Sequence, residues 1–164
     1  MKTNSTIKKI FAMLLACAMM LAFAACGSSP APAASEAPAA EDDGTVKVAI
    51  IKQLDHASLD EIANAIAARF DEMNAAGDVK VEYSISSGQN DQTILKQLCD
   101  QAIADKVDVI VPVATTAAQV ATLSAEGTGV KVVYAAISDP AAANLTGIDY
   151  VTGTSDALNT SFIL

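Results

Sequence analysis

Four short polar groups punctuate residues 46–140, each lying after an apolar run and before an amphipathic one. They are Gln53-Leu54-Asp55-His56, Ser86-Ser87-Gly88-Gln89-Asn90-Asp91, Ala114-Thr115-Thr116 and Ser138-Asp139. These residue types suit recognition of a small polar molecule. Free N–H groups at a helix start carry a partial positive charge and can hold an anionic group such as a carboxylate. The hydroxyls of Thr115 and Thr116 would add donors, and Asp139 could receive an ammonium group. Ser, Thr, Asn and Asp are also the ordinary helix-capping residues, so any one of them alone reads first as a cap. His56 alone reads equally well as a loop histidine without a role. The weight therefore rests on several groups sharing one edge.

Catalytic chemistry is poorly supplied. No GxGxxG follows the first apolar run, no phosphate-binding loop is present, and no His/Cys cluster has metal-ligand spacing. A single histidine cannot build a two-histidine metal site. Asp55 and Asp60 are close in sequence, but they fall in a loop and a first helical turn, where Asp60 favours the helix dipole. No nucleophile–base pair is visible. No catalytic residue, metal or cofactor is expected.

The elements that must position these groups alternate in type. Residues 46–52 (VKVAIIK) have the composition of a strand. Ser58-Leu59-Asp60-Glu61 reads as a capping box, with Ser58 as the cap. Leu59, Ile62, Ala63, Ile66, Phe70 and Met73 then recur at helical spacing, and Gly77 is a plausible stop. Residues 79–84 predict a strand, and residues 91–105 a helix with Ile94, Leu95, Leu98, Ala102 and Ile103 on one face. A near-continuous apolar strand at 107–113 and a helix over 116–125 follow, the helix ended by Gly127 and Gly129. Another apolar strand is expected at 130–136, and Asp139-Pro140 then reads as the cap and first turn of a further helix. Strands alternating with helices at this spacing imply an α/β fold, a doubly wound parallel sheet with helices on both faces. The central strands would be covered on both sides, with right-handed crossovers. The polar groups then share the carboxyl edge of the sheet, where ligands bind in such folds.

The N-terminus carries a different signal. Lys2, Lys8 and Lys9 precede an uncharged, mostly apolar run over residues 10–25, then Gly27-Ser28-Ser29. This is the order of a secretory signal peptide, and the run is shorter than the roughly 20 residues of a membrane span. Phe23-Ala24-Ala25-Cys26 resembles a bacterial lipobox, in which the Cys sulfur takes a diacylglycerol thioether and the Cys becomes the mature N-terminus. Phe23 stands where Leu is usual. Leu14-Leu15-Ala16-Cys17 fits the same pattern, but cleavage there would leave residues 18–25 as an apolar tail. Cys26 leads straight into GSSPAPAASEAPAAEDDG, which has no large apolar side chain and cannot offset its own ordering entropy. Residues 1–25 thus read as a signal peptide, 26–44 as a lipidated tether, and 45–150 as the folded unit. Loss of the three signal-peptide lysines takes the net charge from −9 to −12. An acidic surface of that size argues against nucleic acid and against adhesion to anionic lipid. Only Cys99 remains as a free thiol, read as a small buried helix residue.

The order and spacing of these pieces resemble the ABC transporter substrate-binding family, which includes tryptophan- and tyrosine-type importers. Val48-Ala49-Ile50-Ile51 with His56-Ala57-Ser58-Leu59-Asp60 resembles its opening strand and His-Pro-x-Leu-Asp turn, with Ala57 in place of proline. Asn90-Asp91-Gln92 resembles the start of its second helix. Asp108-Val109-Ile110-Val111 with Ala114-Thr115-Thr116-Ala117-Ala118-Gln119 resembles its third strand and Thr-rich turn, with Thr116 where proline is common. Val132-Val133-Tyr134-Ala135-Ala136 with Ser138-Asp139-Pro140 resembles its fourth strand, and Thr152-Gly153-Thr154-Ser155-Asp156 its crossing motif. The resemblance spans nearly all of residues 46–160. It implies one lobe of a two-lobed periplasmic-binding-protein-like fold that closes on a small molecule, with a permease and an ATPase as partners and lipid attachment to the extracytoplasmic face of a membrane. It puts His56, Asn90, Thr115, Thr116, Asp139, Ser155 and Asp156 near the cleft, and aromatic amino acids are the best-known ligands of the group. The family's second lobe would begin where this sequence stops, so residues 151–164 read as the crossover. The chain is then a fragment, a truncated reading frame or an incomplete sequence, expected to bind weakly or not at all alone. Rival readings are an extracytoplasmic sensor module handing its ligand to a membrane receptor, and an anchored α/β enzyme whose chemistry lies elsewhere.

Overall fold

The computed structural model describes residues 44–156. Cys26, the signal peptide and residues 27–43 of the tether lie outside them. The elements are β1 (Thr45–Lys52), α1 (Ala57–Ala76), β2 (Lys80–Ser87), α2 (Gln92–Ala104), β3 (Val109–Val113), α3 (Thr115–Ala125), β4 (Lys131–Ile137) and β5 (Val151–Ser155). The five strands form one sheet in the order β2-β1-β3-β4-β5, every neighbouring pair parallel. The expected doubly wound parallel architecture is therefore what the chain adopts. Residues 151–155 join it as the strand beside β4.

Alternation along the strands sorts the core onto two faces. Val48 and Ile50 of β1 pack with Val81, Val111 and Val113 against Ala63 and Ala67 of α1. Ala49 and Ile51 point the other way, to Leu95, Cys99 and Ala102 of α2 and Ala117 and Ala121 of α3. Small residues on α3 let that helix sit close over Ile110 and Val132. Burying this apolar surface is the main favourable contribution to the fold, at about 25 cal/mol per Å².

Pro112 is fully buried in β3, a central strand. It has no N–H to give to a ladder. The β3–β4 register runs Val109↔Lys131 and Ile110↔Val132, then resumes only at Val113↔Ala135. The proline thus falls in a break of the ladder, which tolerates it there.

Two local expectations are corrected. Ser58 is not the cap of α1. The helix starts at Ala57, and His56, with extended backbone (φ −152°, ψ 137°), caps it by accepting the Ser58 N–H on its side chain. The Nδ1 to N distance is 3.3 Å. No further helix follows Asp139-Pro140. Asp139 does accept from Ala142 N at 2.9 Å, but only one turn forms. Asn144 enters the left-handed region (φ 58°), which ends that turn. Ala143 and Leu145 are drawn into a cluster with Ala118, Tyr134 and Ile137.

Candidate functional site

All five strands end on one edge, and the residue after each of four of them is tied to a neighbouring strand. Gln53 N donates to Val113 O at 3.1 Å, and Gly88 N donates to Lys52 O at 2.9 Å. Ala114 N donates to Ala135 O at 3.1 Å, and Asp156 N donates to Ile137 O at 3.2 Å. The ladder therefore continues past the strand ends and fixes where the polar groups emerge. Gly88 is required for another reason. A Cβ there would collide with the Leu95 side chain and meet the Gln53 carbonyl at 3.2 Å.

Strand order reverses at β1, with β2 on one side and β3 on the other. Such a reversal opens a crevice between the carboxyl ends of the two strands. Gln53 leaves β1 at that crevice and spans it. Its Oε1 accepts from Thr116 N in the first turn of α3 at 3.1 Å. Its Nε2 donates to Asn90 Oδ1 at 3.0 Å, and its own carbonyl accepts from Asn90 N at 2.8 Å. One side chain thus joins three of the polar groups.

The backbone of this edge departs from ordinary conformations. Gln89 and Asn90 have φ of 52° and 59°, and Ala136, at the irregularity between β4 and β5, has 58°. Ala114 has φ 81° and ψ 162°, a region that only glycine occupies readily, and no side chain caps α3 behind it. Each such residue costs about 1–3 kcal/mol and persists where surrounding contacts over-determine it. Strain of this kind clusters at ligand-binding and switch regions.

Charge on the edge is arranged around Lys52. Its side chain is 12 % exposed and contacts Asp60 and, at 3.0 Å, Asp55. Hydrogen bonds to Asp60 and then Asp55 hold the ammonium above its usual range. The Asp55 carboxyl is held below its ordinary value by Lys52 and, secondarily, by Ser87. Asp91 caps α2 by accepting from Thr93 N at 2.7 Å and Ile94 N at 3.3 Å, which holds its carboxyl low as well.

Of the residues singled out in the sequence, Asn90 and Thr116 are brought together through Gln53. Thr115 is exposed beside Thr116. His56 and Asp139 spend one acceptor each on local caps and remain exposed. Ser155 Oγ donates to Ser138 O at 3.3 Å, joining the β4 and β5 ends, and Asp156 is exposed next to it. Gln53, Lys52 and Ala114 are the additions. Gln53 stood in the first polar group of the sequence, but nothing in its type marked it out. Two grooves reach this edge from the faces of the sheet. One, of 560 Å³, runs between α3 and residues 143–150 and includes Thr116 and Tyr150. The other, of 510 Å³, runs between α1 and the β4–β5 ends and includes Phe70 and Ser155. Among the described residues no group of three or more His, Cys, Asp or Glu is placed to hold a metal ion.

A parallel sheet with this strand order and a polar carboxyl edge defines an open, doubly wound α/β lobe. Residues 47–161 match the family model of the ABC transporter substrate binding protein, and the chain belongs to that family. Among solved structures it is similar to an ABC domain from Streptococcus pneumonia in complex with L-Trp. Identity there is 29 %, over 67 % of this chain and 38 % of that one, with a TM-score of 0.59. It shares its fold with the ligand-free, open form of a substrate binding protein with adhesive properties from Clostridium difficile, at 24 % identity over 69 % and 39 % of the two chains and a TM-score of 0.59. A conserved domain protein from Vibrio cholerae has the same fold, at 24 % identity over 70 % and 40 % and a TM-score of 0.59. The chain thus spans only 38–40 % of the length of these structures, as one lobe would. A search of curated proteins gives no match.

Proposed function

We propose that the chain is the first lobe of an extracytoplasmic substrate-binding lipoprotein that serves an ABC importer. Cys26 carries the lipid, residues 27–44 tether the lobe to the membrane, and a permease and an ATPase are the partners. The solute is small and polar, foremost an aromatic amino acid, held between this lobe and a second one. His56, Asn90, Thr115, Thr116, Asp139, Ser155 and Asp156 form this lobe's wall. The observation that carries the reading is the gathering of Asn90 and Thr116 by Gln53 at the point where strand order reverses. Ligands in open parallel sheets bind there. The family match and the L-Trp held by the pneumococcal neighbour support the solute class.

The test is a thermal-shift screen of the full-length protein against amino acids, nucleosides and sugars. A ligand that binds only the native state raises the melting temperature by mass action. A shift with tryptophan, tyrosine or phenylalanine alone is the expected result. A shift with another class keeps the binding function and removes the aromatic solute. No shift at all, with no ligand copurifying by mass spectrometry, counts against the binding function. Lipidation is read separately: the mature N-terminal peptide should carry a diacylglycerol on Cys26, and Cys26→Ser should release the protein from membranes.

A further inference from the structure

We propose that Gln53 is a specificity-determining residue of this edge: it fixes which way round the Asn90 amide stands, so that Asn90 shows the bound molecule a donor. The inference rests on the edge being the ligand wall, and adds the polarity of that wall.

The reasoning starts from a group whose polarity cannot change. The backbone N–H of Thr116 can only donate. The atom of Gln53 that faces it at 3.1 Å must therefore be the amide oxygen. That turns the Gln53 nitrogen to Asn90, 3.0 Å away. A nitrogen of an amide donates, so Asn90 must meet it with Oδ1. The outward group of Asn90 is then Nδ2. Oxygen and nitrogen of an amide are ordinarily told apart only by their partners, and here the chain of partners begins at the main chain. Asn90 is held at this place by its own N–H, which donates to the Gln53 carbonyl at 2.8 Å.

The consequence is directional. Near the β1–β3 crevice the wall offers Asn90 Nδ2 and the Thr115 hydroxyl. Beyond β4 it offers the second oxygen of Asp139, whose first is spent on Ala142 N. A ligand with an oxygen acceptor at one end and a cation at the other lies along the edge with its oxygen end toward Asn90. Among small polar solutes this favours carboxylates over amines at the crevice.

Gln53→Glu separates polarity from support. A carboxylate at residue 53 still accepts from Thr116 N, but it has no donor, so Asn90 must turn its Nδ2 inward and its Oδ1 outward. The first measurement is hydrogen exchange of the side-chain amides by NMR on the full chain, with no ligand. The wild type should show slow exchange at Gln53 Nε2 and fast exchange at Asn90 Nδ2, and Gln53→Glu should slow Asn90 Nδ2. Slow Asn90 Nδ2 beside fast Gln53 Nε2 in the wild type overturns the proposal whatever the ligand. The second measurement is L-tryptophan affinity, in the protein that carries both lobes, at low and high salt. Gln53→Glu should lose about tenfold or more, as for a lost hydrogen bond to a charged group. The loss should persist at high salt, which screens the added charge, while the free protein melts near the wild-type temperature. Equal affinities, or a loss that salt abolishes, overturn the proposal. A wild type that fails to bind L-tryptophan while showing the expected exchange pattern counts against the solute class above and leaves the exchange result to decide the relay.

Discussion

Gln53 Oε1 lies 3.1 Å from the backbone nitrogen of Thr116, across the gap where strand order reverses. The contact links residues 63 apart in sequence. It takes up a helix-start N–H that α3, without a side-chain cap, would otherwise leave to solvent or ligand. Gln53→Leu keeps the volume and removes both polar partners. It leaves Thr116 N and Asn90 Oδ1 to find water, and we expect a loss of about 1–2 kcal/mol in urea denaturation. An unchanged midpoint would show that the bridge supports nothing.

Ala114 carries the most strained backbone of the edge, at φ 81° and ψ 162°. Glycine occupies that region without a Cβ clash. Ala114→Gly should relieve about 1–3 kcal/mol of strain, less about 0.5–1 kcal/mol for the added freedom of the unfolded chain. The expected outcome is a net rise in the denaturation midpoint. A fall would mean that the surroundings of residue 114 do not hold it in the conformation described.

Much of this architecture is legible in the sequence, because the information is local. The apolar runs at 107–113 and 130–136 read as covered strands, residues 46–52 have a strand's composition, and the spacing of Leu59, Ile62, Ile66 and Phe70 reads as one helix face. Capping is less legible, since several residues compete for it. Ser58 with Glu61 satisfies the capping pattern, yet His56, two residues earlier, holds the extended conformation and the acceptor. Asp139-Pro140 has a helix start's chemistry, but Asn144 and Gly147 follow too soon for a helix to propagate. Gln53 was least legible. Its role exists only because β1 lies between β2 and β3, and strand order is a property of the whole sheet.

The Lys52 cluster sets a pH dependence with a definite sign. The Asp55 carboxyl is held below its ordinary 3.8 by Lys52 first and Ser87 second. Its contribution is full above that value and is lost as pH falls through the lower folded value. Lys52 is held above its ordinary 10.5 by Asp60 first and Asp55 second. Its contribution is full below 10.5 and is lost as pH rises through the higher folded value. Lys52→Met keeps the length of the side chain and removes the charge. The gap between wild-type and variant urea midpoints should stay flat from about pH 5 to 9 and narrow at both extremes. A gap that is constant through the acid range would show that the cluster does not titrate with folding.

Cys99 sits at the centre of the α2–α3 face, fully buried beside Leu95 and Ala102. Burial, and to a lesser extent the neighbouring Asp100, push its thiol up to about 12. The thiolate is the reactive form, so almost none is present near neutrality, and packing also blocks access. Peptide mapping after iodoacetamide treatment of the native protein should find Cys99 unmodified, with full modification once urea unfolds the chain. The labelling rate should follow the fraction unfolded and shift with the same urea midpoint that reports stability. Rapid labelling in buffer would place the thiol at an accessible surface, and the packing of α2 against Ala49 and Ile51 would then be wrong.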